Sequence, residues 1–330
     1  MRKKIFVTGA AGYIGSTLIK DLLQSRRICR IVALDNESRG SFEHIARFAS
    51  KINAGRKLKI VRNDFRKYNY TGELKNTDTF VHLAAAVGER VCEKNKAKAR
   101  DINIKGLMRL LGILGANGIK RFIFTSSQVV YGRSHPVPFM ETYGKEPDNF
   151  YAITKSAGED IVVYAKKIFP DFNYIVLRLA SVYGFGLFAR WGSLTGKFAK
   201  RVSEKKPLPV FEGGKQKADF VHVRDVSNAI KRAIFNGSPG AWNQCYNIAS
   251  GESLSVKEIA RLYSLLAQKK LREKIKIEYP VFHTDPQQLE RRLDICKALN
   301  RLEWEPAIDF REGIEELLEQ CNTGPAKKSI

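Results

Sequence analysis

A glycine-rich turn near the start of the chain constrains the fold more than any other feature. The run VTGAAGYIG at 7–15 follows a short apolar segment and opens an amphipathic one. Gly9 permits a tight turn, Gly12 lets a pyrophosphate approach the backbone, and Gly15 allows a helix to pack closely on a strand. Free N–H groups and the helix dipole would then face the phosphates. The spacing is GxxGxxG, and an ordinary strand–helix turn is the alternative interpretation of this glycine pattern. The position directly after a strand favours a dinucleotide-binding site.

Short apolar runs alternate with longer amphipathic stretches through the first half of the chain. This alternation predicts an α/β fold, a Rossmann-type doubly wound parallel sheet. Strands buried on both faces read as continuous apolar runs, as Ile5-Phe6-Val7 does. The predicted strands are Lys4–Thr8, Arg30–Leu34, Leu58–Val61, Thr79–Leu83, Arg121–Thr125 and Tyr174–Leu179, and the predicted helices are Tyr13–Gln24, Phe42–Lys51, Lys96–Gly115 and Tyr151–Ile168.

After about residue 180, glycines and prolines interrupt the pattern and indicate a smaller C-terminal lobe. Strands are expected at Phe220–Val223 and Cys245–Ile248, both rejoining the main sheet, and helices at Val256–Ala267 and Phe310–Gln320. We therefore predict a Rossmann domain over 1–180 to which 219–249 return, a substrate-binding lobe from 181–218 and 250–322, and a flexible tail over 323–330.

The chain is strongly basic, with 57 Lys and Arg against 34 Asp and Glu and a formal net charge of +23. A basic surface attracts anionic partners, including sugar nucleotides, RNA and acidic membranes. Because the basic residues are spread along the whole chain, a solvated lysine-rich surface without a single partner is the other interpretation.

Cysteines, histidines and hydropathy narrow the class of protein further. The five cysteines show no CxxC spacing and the five histidines are dispersed, which predicts neither a disulfide framework nor a metal site. No apolar stretch has the length of about 18 residues that spans a bilayer, and no signal peptide is recognisable. We expect a cytoplasmic protein without a membrane partner.

An acidic residue follows the second predicted strand. Asp35 stands about 20 residues after Gly15, where a carboxylate accepts a hydrogen bond from the ribose 2′-OH and repels a 2′-phosphate. This position favours NAD over NADP, although Arg39 nearby would weaken the exclusion. Asp64 follows the third strand and is placed either to meet the adenine edge or to cap a turn.

A tyrosine and a lysine four residues apart carry the predicted chemistry. On a helix, Tyr151 and Lys155 of YAITK share one face. A nearby positive charge lowers a tyrosine pKa from about 10, and such a phenol can take a proton from a sugar hydroxyl. Ser127, at the carboxyl end of a predicted strand, could hydrogen-bond the same oxygen. The alternatives are a surface helix pair for YxxxK and a backbone-capping role for the serine.

Together these segments resemble the extended short-chain dehydrogenase/reductase family, in the NAD-dependent epimerase/dehydratase group typified by UDP-glucose 4-epimerase. The resemblance covers nearly the whole chain. The matching segments are TGAAGYIGS at the start, VHLAAAVG at 81–88, TSSQVVYG at 125–132, YAITK at 151–155, LRLASVYG at 177–184, FVHVRDV at 220–226, YNIASGESLSV at 246–256 and LDICKALNRLEWEP at 293–306.

The resemblance implies that Ser127, Tyr151 and Lys155 are catalytic, with NAD as cofactor and a nucleotide sugar as substrate. It implies a homodimer held by a four-helix bundle of the helices at 96–115 and 151–168, and it places Asn103 near the active site. The implied cofactor contacts are Gly9, Gly12, Tyr13, Ile14, Gly15, Asp35, Asn36, Asp64, Phe65, Leu83, Ala84, Ala85, Tyr151 and Lys155.

Several positions depart from the family pattern. The 4,6-dehydratase branch has an Asp-Glu pair where this chain has Gln128 and Val129, so water elimination lacks its acid and base. The family has an Arg directly before the Asp-Phe pair that is Asp219-Phe220 here. This chain has Ala218 at that position, and Lys217 lies one place earlier. Ser181 stands where the 4-epimerase has an Asn. The predicted substrate contacts are Val87, Ser127, Ser181, Arg190, Lys197, Arg291 and Arg292, the four cations being solvated surface charges in the alternative interpretation.

The sequence therefore predicts an NAD-dependent nucleotide-sugar 4-epimerase. Tyr151 would remove a hydroxyl proton while NAD takes hydride from the same carbon, and hydride would return to the opposite face of the keto intermediate. A nucleotide-sugar oxidoreductase with the same three residues is one alternative. An RNA-binding or regulatory protein on the same fold is another, kept because of the charge of +23, although nucleic acid is not the expected partner.

Overall fold

The computed structural model describes residues 2–280 and 290–323. The strands, in chain order, are β1 (Lys3–Thr8), β2 (Ile28–Asp35), β3 (Leu58–Arg62), β4 (Thr79–His82), β5 (Arg121–Ser127), β6 (Asn173–Leu179), β7 (Ser181–Tyr183), β8 (Leu208–Pro209), β9 (Lys217–His222), β10 (Gln244–Ile248), β11 (Ser253–Ser255), β12 (Ile277–Glu278) and β13 (Glu290–Arg291). The helices are α1 (Tyr13–Gln24), α2 (Glu43–Lys51), α3 (Glu89–Lys94), α4 (Lys96–Arg100), α5 (Gly106–Ala116), α6 (Phe150–Ile168), α7 (Leu194–Ser203), α8 (Val223–Phe235), α9 (Val256–Leu266), α10 (Cys296–Leu302) and α11 (Phe310–Thr323).

Seven strands form one parallel sheet in the order β10-β6-β5-β4-β1-β2-β3. The chain builds outward from β1 to β3 and then crosses to build the other half from β4. The order reverses between β1 and β4, and a crevice outside the carboxyl ends of the strands opens at such a reversal. The predicted Rossmann-type fold is confirmed.

Side chains from the continuous apolar runs of the strands pack into two separate hydrophobic cores. In β1, Ile5 and Val7 belong to the core cluster that contains Leu18 of α1 and Ile230 of α8. Phe6 belongs to the cluster on the other face, with residues of α5 and α6. Successive side chains of a strand point to opposite faces, so the central residues of a strand covered by helices on both sides are all apolar.

One predicted helix is interrupted. The segment predicted as a single helix over Lys96–Gly115 consists of α4, a π-helical turn over Asp101–Lys105, and α5. An extra residue in a helical turn changes the direction of the following side chains, and such turns are common at functional sites. Asn103 lies in this turn.

One strand prediction is wrong. Cys245–Ile248 does join the main sheet as part of β10 beside β6, but β9, which contains Phe220, lies in a small second sheet. It pairs with β11, β13 and β7 there, because Phe220 packs into a third core with Tyr183 and Phe310. Val223 begins α8 instead of ending the strand.

The division into a cofactor domain and a substrate lobe stays a prediction, and most of the predicted flexible tail lies outside the described residues. No helix in the described part of the chain has the length and hydropathy needed to cross a membrane.

His82, at the end of β4, is a buried titratable residue. Its Nδ1 is hydrogen-bonded to Thr8 Oγ1 at 2.7 Å, and its ring stacks with those of Phe122 and Phe124 at centroid distances of 6.2 Å. Burial, with the Lys155 charge second, lowers the pKa of His82 to about 3. The imidazole is therefore neutral in the folded protein at neutral pH.

This buried histidine should make the stability depend on pH. With a pKa near 6.5 in the unfolded chain, His82 takes up a proton there but not in the folded state, so stability is lost as pH falls from 6.5 toward 3. We expect His82 to account for about 2 kcal/mol of the decrease in unfolding free energy between pH 7 and pH 5. In urea denaturation at both values, a His82→Gln variant should lack this part of the decrease, and a decrease equal to that of the wild type would contradict the assignment.

Candidate active site

The candidate site lies where β1, β4 and β5 end at the carboxyl edge of the sheet. The glycine turn follows β1, the segment Leu83–Ala85 follows β4, and Ser127 is the last residue of β5. Leu83 N–H donates to the Thr8 carbonyl at 3.1 Å, which holds the two connections side by side. The topological switch point predicted from the strand order thus brings the predicted cofactor segments together.

Backbone contacts explain two of the three glycines in the turn. Gly9 has φ +71°, and a Cβ there would lie 2.6 Å from Ala84 N. A Cβ on Gly15 would lie 2.1 Å from Gly9 O and 2.8 Å from Ala10 Cα. A side chain at either position would force the turn, the helix or the β4 connection apart.

Gly12 is different, because its surroundings are open. A Cβ there would meet only Gly9 O, at 3.2 Å. Gly12 is the N-cap of α1 and supplies no side-chain cap, so the amides of the first turn remain available to an anion. This cradle fits the diphosphate of a dinucleotide, and the phosphate contact of Gly12 stays a prediction.

Asp35 closes the other end of the predicted dinucleotide groove. Its Oδ2 accepts from Ala11 N–H at 3.2 Å and its Oδ1 from Glu37 N–H at 2.7 Å. Burial raises the pKa of this carboxyl, against the lowering effect of those bonds. Arg39 donates to the Val87 carbonyl at 3.4 Å, and within residues 2–280 and 290–323 it forms no ion pair with Asp35. The contact of this carboxylate with a ribose 2′-OH stays a prediction.

Asp64 is engaged by its own turn. Its Oδ1 accepts from the backbone N–H and the Nε of Arg66, both at 2.9 Å, and Arg66 also pairs with Asp101. The Arg66 side chain holds the pKa of Asp64 below its ordinary value. The turn-capping role left open by the sequence is therefore present, and the adenine contact stays a prediction.

Three other predicted cofactor residues have structural contacts of their own. The Tyr13 hydroxyl donates to the Gly184 carbonyl at 2.8 Å and ties α1 to the loop after β7. Phe65 packs edge-on against His82 at 5.0 Å between centroids. The Asn36 side chain accepts from Ser38 N–H at 3.1 Å and shapes the turn after β2.

Asn103 connects the β4 loop to α6. Its Oδ1 accepts from Ala86 N–H at 2.8 Å, and its Nδ2 donates to Ala86 O and to Thr154 Oγ1, each at 3.0 Å. The π-helical turn aims this amide inward. Asn103 thus fixes the start of α6 against the loop that carries Val87.

The predicted catalytic residues lie together. Tyr151, in the first turn of α6, is 8% exposed, and the Ser127 hydroxyl is close enough to lower the phenol pKa by hydrogen bonding. The Ser127 side chain also accepts from Val129 N–H at 3.5 Å. Lys155 donates to the Thr125 carbonyl at 2.7 Å and lies 5.0 Å from the centre of the Phe124 ring.

The predicted effect of Lys155 on Tyr151 is not what the structure shows. Burial is the largest influence on the phenol and raises the pKa of Tyr151, and the cation with the largest opposing effect is Arg190. The ammonium group is instead directed at a strand carbonyl, and burial lowers the pKa of Lys155 to about 8. The surroundings of Tyr151 are apolar and disfavour the phenolate more than a single ammonium favours it.

The predicted substrate residues divide into those the structure brings to the site and those it does not. Gln128 Nε2 donates to Ser181 Oγ at 3.4 Å beside Ser127, and Val87 packs in the small cluster around Tyr151. Arg190 is exposed, but its charge acts on both Tyr13 and Tyr151. Lys197 is exposed on α7, and no contact in the described part of the chain connects it to these residues.

The late arginines lie beside the position where the family's arginine is missing. Arg291 in β13 pairs with Ala218 in β9, so both side chains stand on the same face of the small sheet. Lys217 is exposed, and as the adjacent strand residue it points to the other face, so it does not replace the missing residue. Arg292 is paired with Glu290 at 3.3 Å.

Sequence reasoning missed two neighbours of the catalytic residues. Cys92 is fully buried in the cluster with Tyr151 and donates to Ala86 O at 3.4 Å. Glu159 forms a buried two-bond ion pair with Arg178, at 3.0 and 2.7 Å. Glu159 follows Lys155 by four residues, so helical periodicity could have found it, whereas no local pattern indicated Cys92.

Comparison with known proteins agrees with this geometry. The model of the NAD-dependent epimerase/dehydratase family matches residues 5–249, and the chain belongs to this family. It is 28% identical to a putative UDP-glucose 4-epimerase of Methanocaldococcus jannaschii, covering 95% of this chain and 97% of that one. It is 25% identical to the dTDP-D-glucose 4,6-dehydratase of Mus musculus, covering 96% and 88%. Among solved structures, UDP-glucose 4-epimerase of Thermotoga maritima with UDP-glucose matches at TM-score 0.79 and 25% identity, covering 96% and 97%. NAD is the cofactor of the family.

The close packing of the glycine turn gives a testable expectation. Gly15→Ala places a methyl group against two backbone atoms and should lower the unfolding free energy by about 1–3 kcal/mol. Gly55→Ala, at a position where a Cβ meets nothing within 4 Å, should change it by less than about 0.5 kcal/mol. Urea denaturation of both variants measures this, and equal effects would show that the contact at Gly15 is unimportant.

Proposed function

We propose that the protein is an NAD-dependent nucleotide-sugar 4-epimerase. The observation that carries the proposal is the Tyr151 phenol, buried beside Ser127 and one helical turn before Lys155, at the edge of the sheet next to the Gly9 turn. The named activity of the M. jannaschii relative and the UDP-glucose in the T. maritima structure support it.

Each catalytic side chain has a separate task in the proposed reaction. Ser127 holds the substrate hydroxyl toward Tyr151, which takes its proton and returns it after the carbon has been reduced again. Bound NAD supplies a reversible hydride acceptor and, in its oxidised form, a positive charge. Because burial raises the pKa of Tyr151, the phenol depends on added positive charge to accept and release a proton near neutral pH. Lys155, fixed at the Thr125 carbonyl, holds its ammonium group on the same face of α6.

The side chains beyond Ser127 favour epimerisation over dehydration. Gln128 is an amide whose Nε2 donates to Ser181, and Val129 is apolar, so neither can serve as acid or base for elimination of water. An oxidoreductase with net NADH production is the second enzymatic possibility, and the assay below separates it.

The substrate diphosphate requires cations that this chain supplies from other positions. We infer that Arg291 takes the place of the arginine missing at Ala218, because the two residues are paired across neighbouring strands. Arg190, whose charge reaches Tyr151, is the second candidate. A guanidinium binds phosphate oxygens through two parallel N–H groups, which suits a diphosphate.

Removal of the phenol oxygen tests the proposed reaction. With NAD and a panel of UDP-, GDP- and dTDP-hexoses, the wild type should interconvert one pair of 4-epimers, detected by NMR of the products. Tyr151→Phe should reduce kcat by about 10²–10⁴-fold, the range for loss of a general acid–base group.

Tyr164→Phe is the matched control, since Tyr164 lies on the same helix and is 62% exposed. Its kcat should stay within about twofold of wild type, because 13 residues of α6, about 20 Å, separate Tyr164 from Tyr151. Accumulation of NADH without interconversion of any sugar would contradict the epimerase proposal and favour the oxidoreductase.

We also propose a homodimer formed through α5 and α6. Large apolar side chains are exposed on these helices, with Met108 57%, Ile153 44%, Tyr164 62% and Ile168 54% exposed. The three on α6 recur at helical spacing along one stripe, and exposed apolar patches of this kind mark protein interfaces.

Cytoplasmic residence stays a prediction. All five cysteines are free, which suits a reducing compartment.

A charge placed in this stripe should prevent assembly. Tyr164→Glu would put a carboxylate in the proposed apolar interface, where its desolvation is costly, and should convert the dimer to a monomer in sedimentation velocity at micromolar concentration. Leu265→Glu, at a side chain 52% exposed on α9, should leave the dimer intact. A monomeric wild type, or equal effects of both variants, would contradict the proposed interface.

A further inference from the structure

The edge of the main sheet opposite the active site carries a concentration of positive charge. All strands of this sheet run parallel, so their first residues meet at one edge, about 20 Å from the carboxyl ends at a rise of 3.3 Å per residue. β1 begins at Lys3 and β5 at Arg121, and Arg27 immediately precedes β2. This edge is separate from Tyr151 and the glycine turn.

A groove of about 910 Å³ lies along this edge and is lined by seven Lys or Arg residues and one carboxylate, that of Asp78. The Oδ2 of Asp78 accepts from the backbone N–H of Lys4 at 2.7 Å and the carboxylate keeps its charge, so one negative charge stands against seven positive ones. Among residues 2–280 and 290–323, no carboxylate lies within 4.0 Å of the charged atoms of Arg2, Lys75 or Lys120. These charges are therefore not neutralised within the described protein.

The cations of the groove also act on one another. Burial and then the neighbouring Arg121 guanidinium lower the pKa of Lys3 against the opposing effect of Asp78, and Arg27 acts in the same direction as Arg121. Two guanidiniums are held on aromatic rings, Arg121 at 5.1 Å from the Trp242 centroid and Arg27 at 4.0 Å from that of Phe235. A guanidinium stacked on a ring is pre-positioned and keeps N–H groups available for an anion.

A second groove of about 1010 Å³ continues this surface past α8. The two grooves are adjacent, since Lys3 lines the first, Arg27 lines the second, and Lys3 N–H donates to the Arg27 carbonyl at 2.8 Å. The cations of the second groove are partly balanced, with Lys231 3.8 Å from Asp21 and Arg232 3.6 Å from Glu303. The excess positive charge is therefore greatest in the first groove, and the second groove lengthens the basic surface.

We propose that these two basic grooves bind the sugar-phosphate backbone of a single-stranded nucleic acid. Successive phosphates match a row of cations along a groove, and exchange of small counterions for lysine and arginine favours binding. A bilayer surface is flat and cannot enter a concave groove, and a duplex is too stiff to bend into one, with a persistence length of about 150 base pairs. The aromatic rings are covered by arginines, so we expect little dependence on base sequence.

The test measures binding and its salt dependence together. Fluorescence anisotropy of labelled 20-nucleotide oligo-U and oligo-dT is recorded with the full-length wild type at several salt concentrations. The double variant Lys75→Glu/Lys120→Glu should bind at least tenfold more weakly. For this variant, the slope of log Kd against the logarithm of the salt concentration should be smaller by about 1.4. Two phosphate contacts are lost, and each contact on a single strand contributes about 0.7 to the slope.

The matched control is Lys51→Glu/Lys269→Glu, which changes the net charge equally at two exposed lysines outside both grooves. It should bind within twofold of wild type, and both double variants should keep the wild-type catalytic rate. Since binding is measured without substrate or NAD, its result does not depend on the proposed epimerase activity.

Several outcomes would overturn the proposal. Equal weakening in both double variants would mean that net charge and not the grooves attracts the strand. Absence of binding even at 50 mM salt would exclude the site. The protein could instead bind phosphatidylserine vesicles or poly-glutamate more tightly than either oligonucleotide, and lose this binding in the Lys75→Glu/Lys120→Glu variant. That result would assign the surface to a membrane or to an acidic protein.

Discussion

A line of buried hydrogen bonds across the ends of three strands holds the site together. Thr8 of β1 bonds to the His82 ring of β4, Thr125 of β5 donates to the His82 carbonyl at 3.3 Å, and Lys155 of α6 donates to the Thr125 carbonyl. Each of these groups is buried, so an unmade bond would leave a polar atom without a partner at a cost of about 1–3 kcal/mol. Lys155, the predicted catalytic lysine, is thus fixed by the same strands that carry the glycine turn.

Burial has a second consequence at this edge of the sheet. It raises the pKa of Tyr151 and lowers the pKa of Lys155, so the protein by itself disfavours the charged form of both groups. Charge brought by a bound partner then has a larger effect than it would in water. The ion pair between Glu159 of α6 and Arg178 of β6 is buried, and the Glu159 carboxylate favours the charged form of Lys155.

The two edges of the sheet attract anions through different chemical groups, for topological reasons. At the carboxyl edge, a glycine turn and a helix N-terminus offer backbone N–H groups to an anion. At the amino edge, Lys3 begins β1, Arg121 begins β5 and Arg27 precedes β2, and the groove there is lined by a single carboxylate, that of Asp78. Parallel connection of the strands keeps these two surfaces apart, which allows each to have its own ligand.

Local patterns in the sequence determined the strands of the main sheet, the glycine turn, and Ser127, Tyr151 and Lys155, because these depend on short-range periodicity and on residue types that few other contexts require. Tertiary structure alone decided which sheet β9 joins, since an apolar run such as Phe220–Val221 fits either one and only its packing against Tyr183 and Phe310 selects the small sheet. It also decided the direction of the Tyr151 pKa shift, the placement of Cys92, and the pairing of Arg291 with Ala218. Each of these depends on residues distant in the chain that approach one another only after folding, and on the exclusion of water that this approach produces.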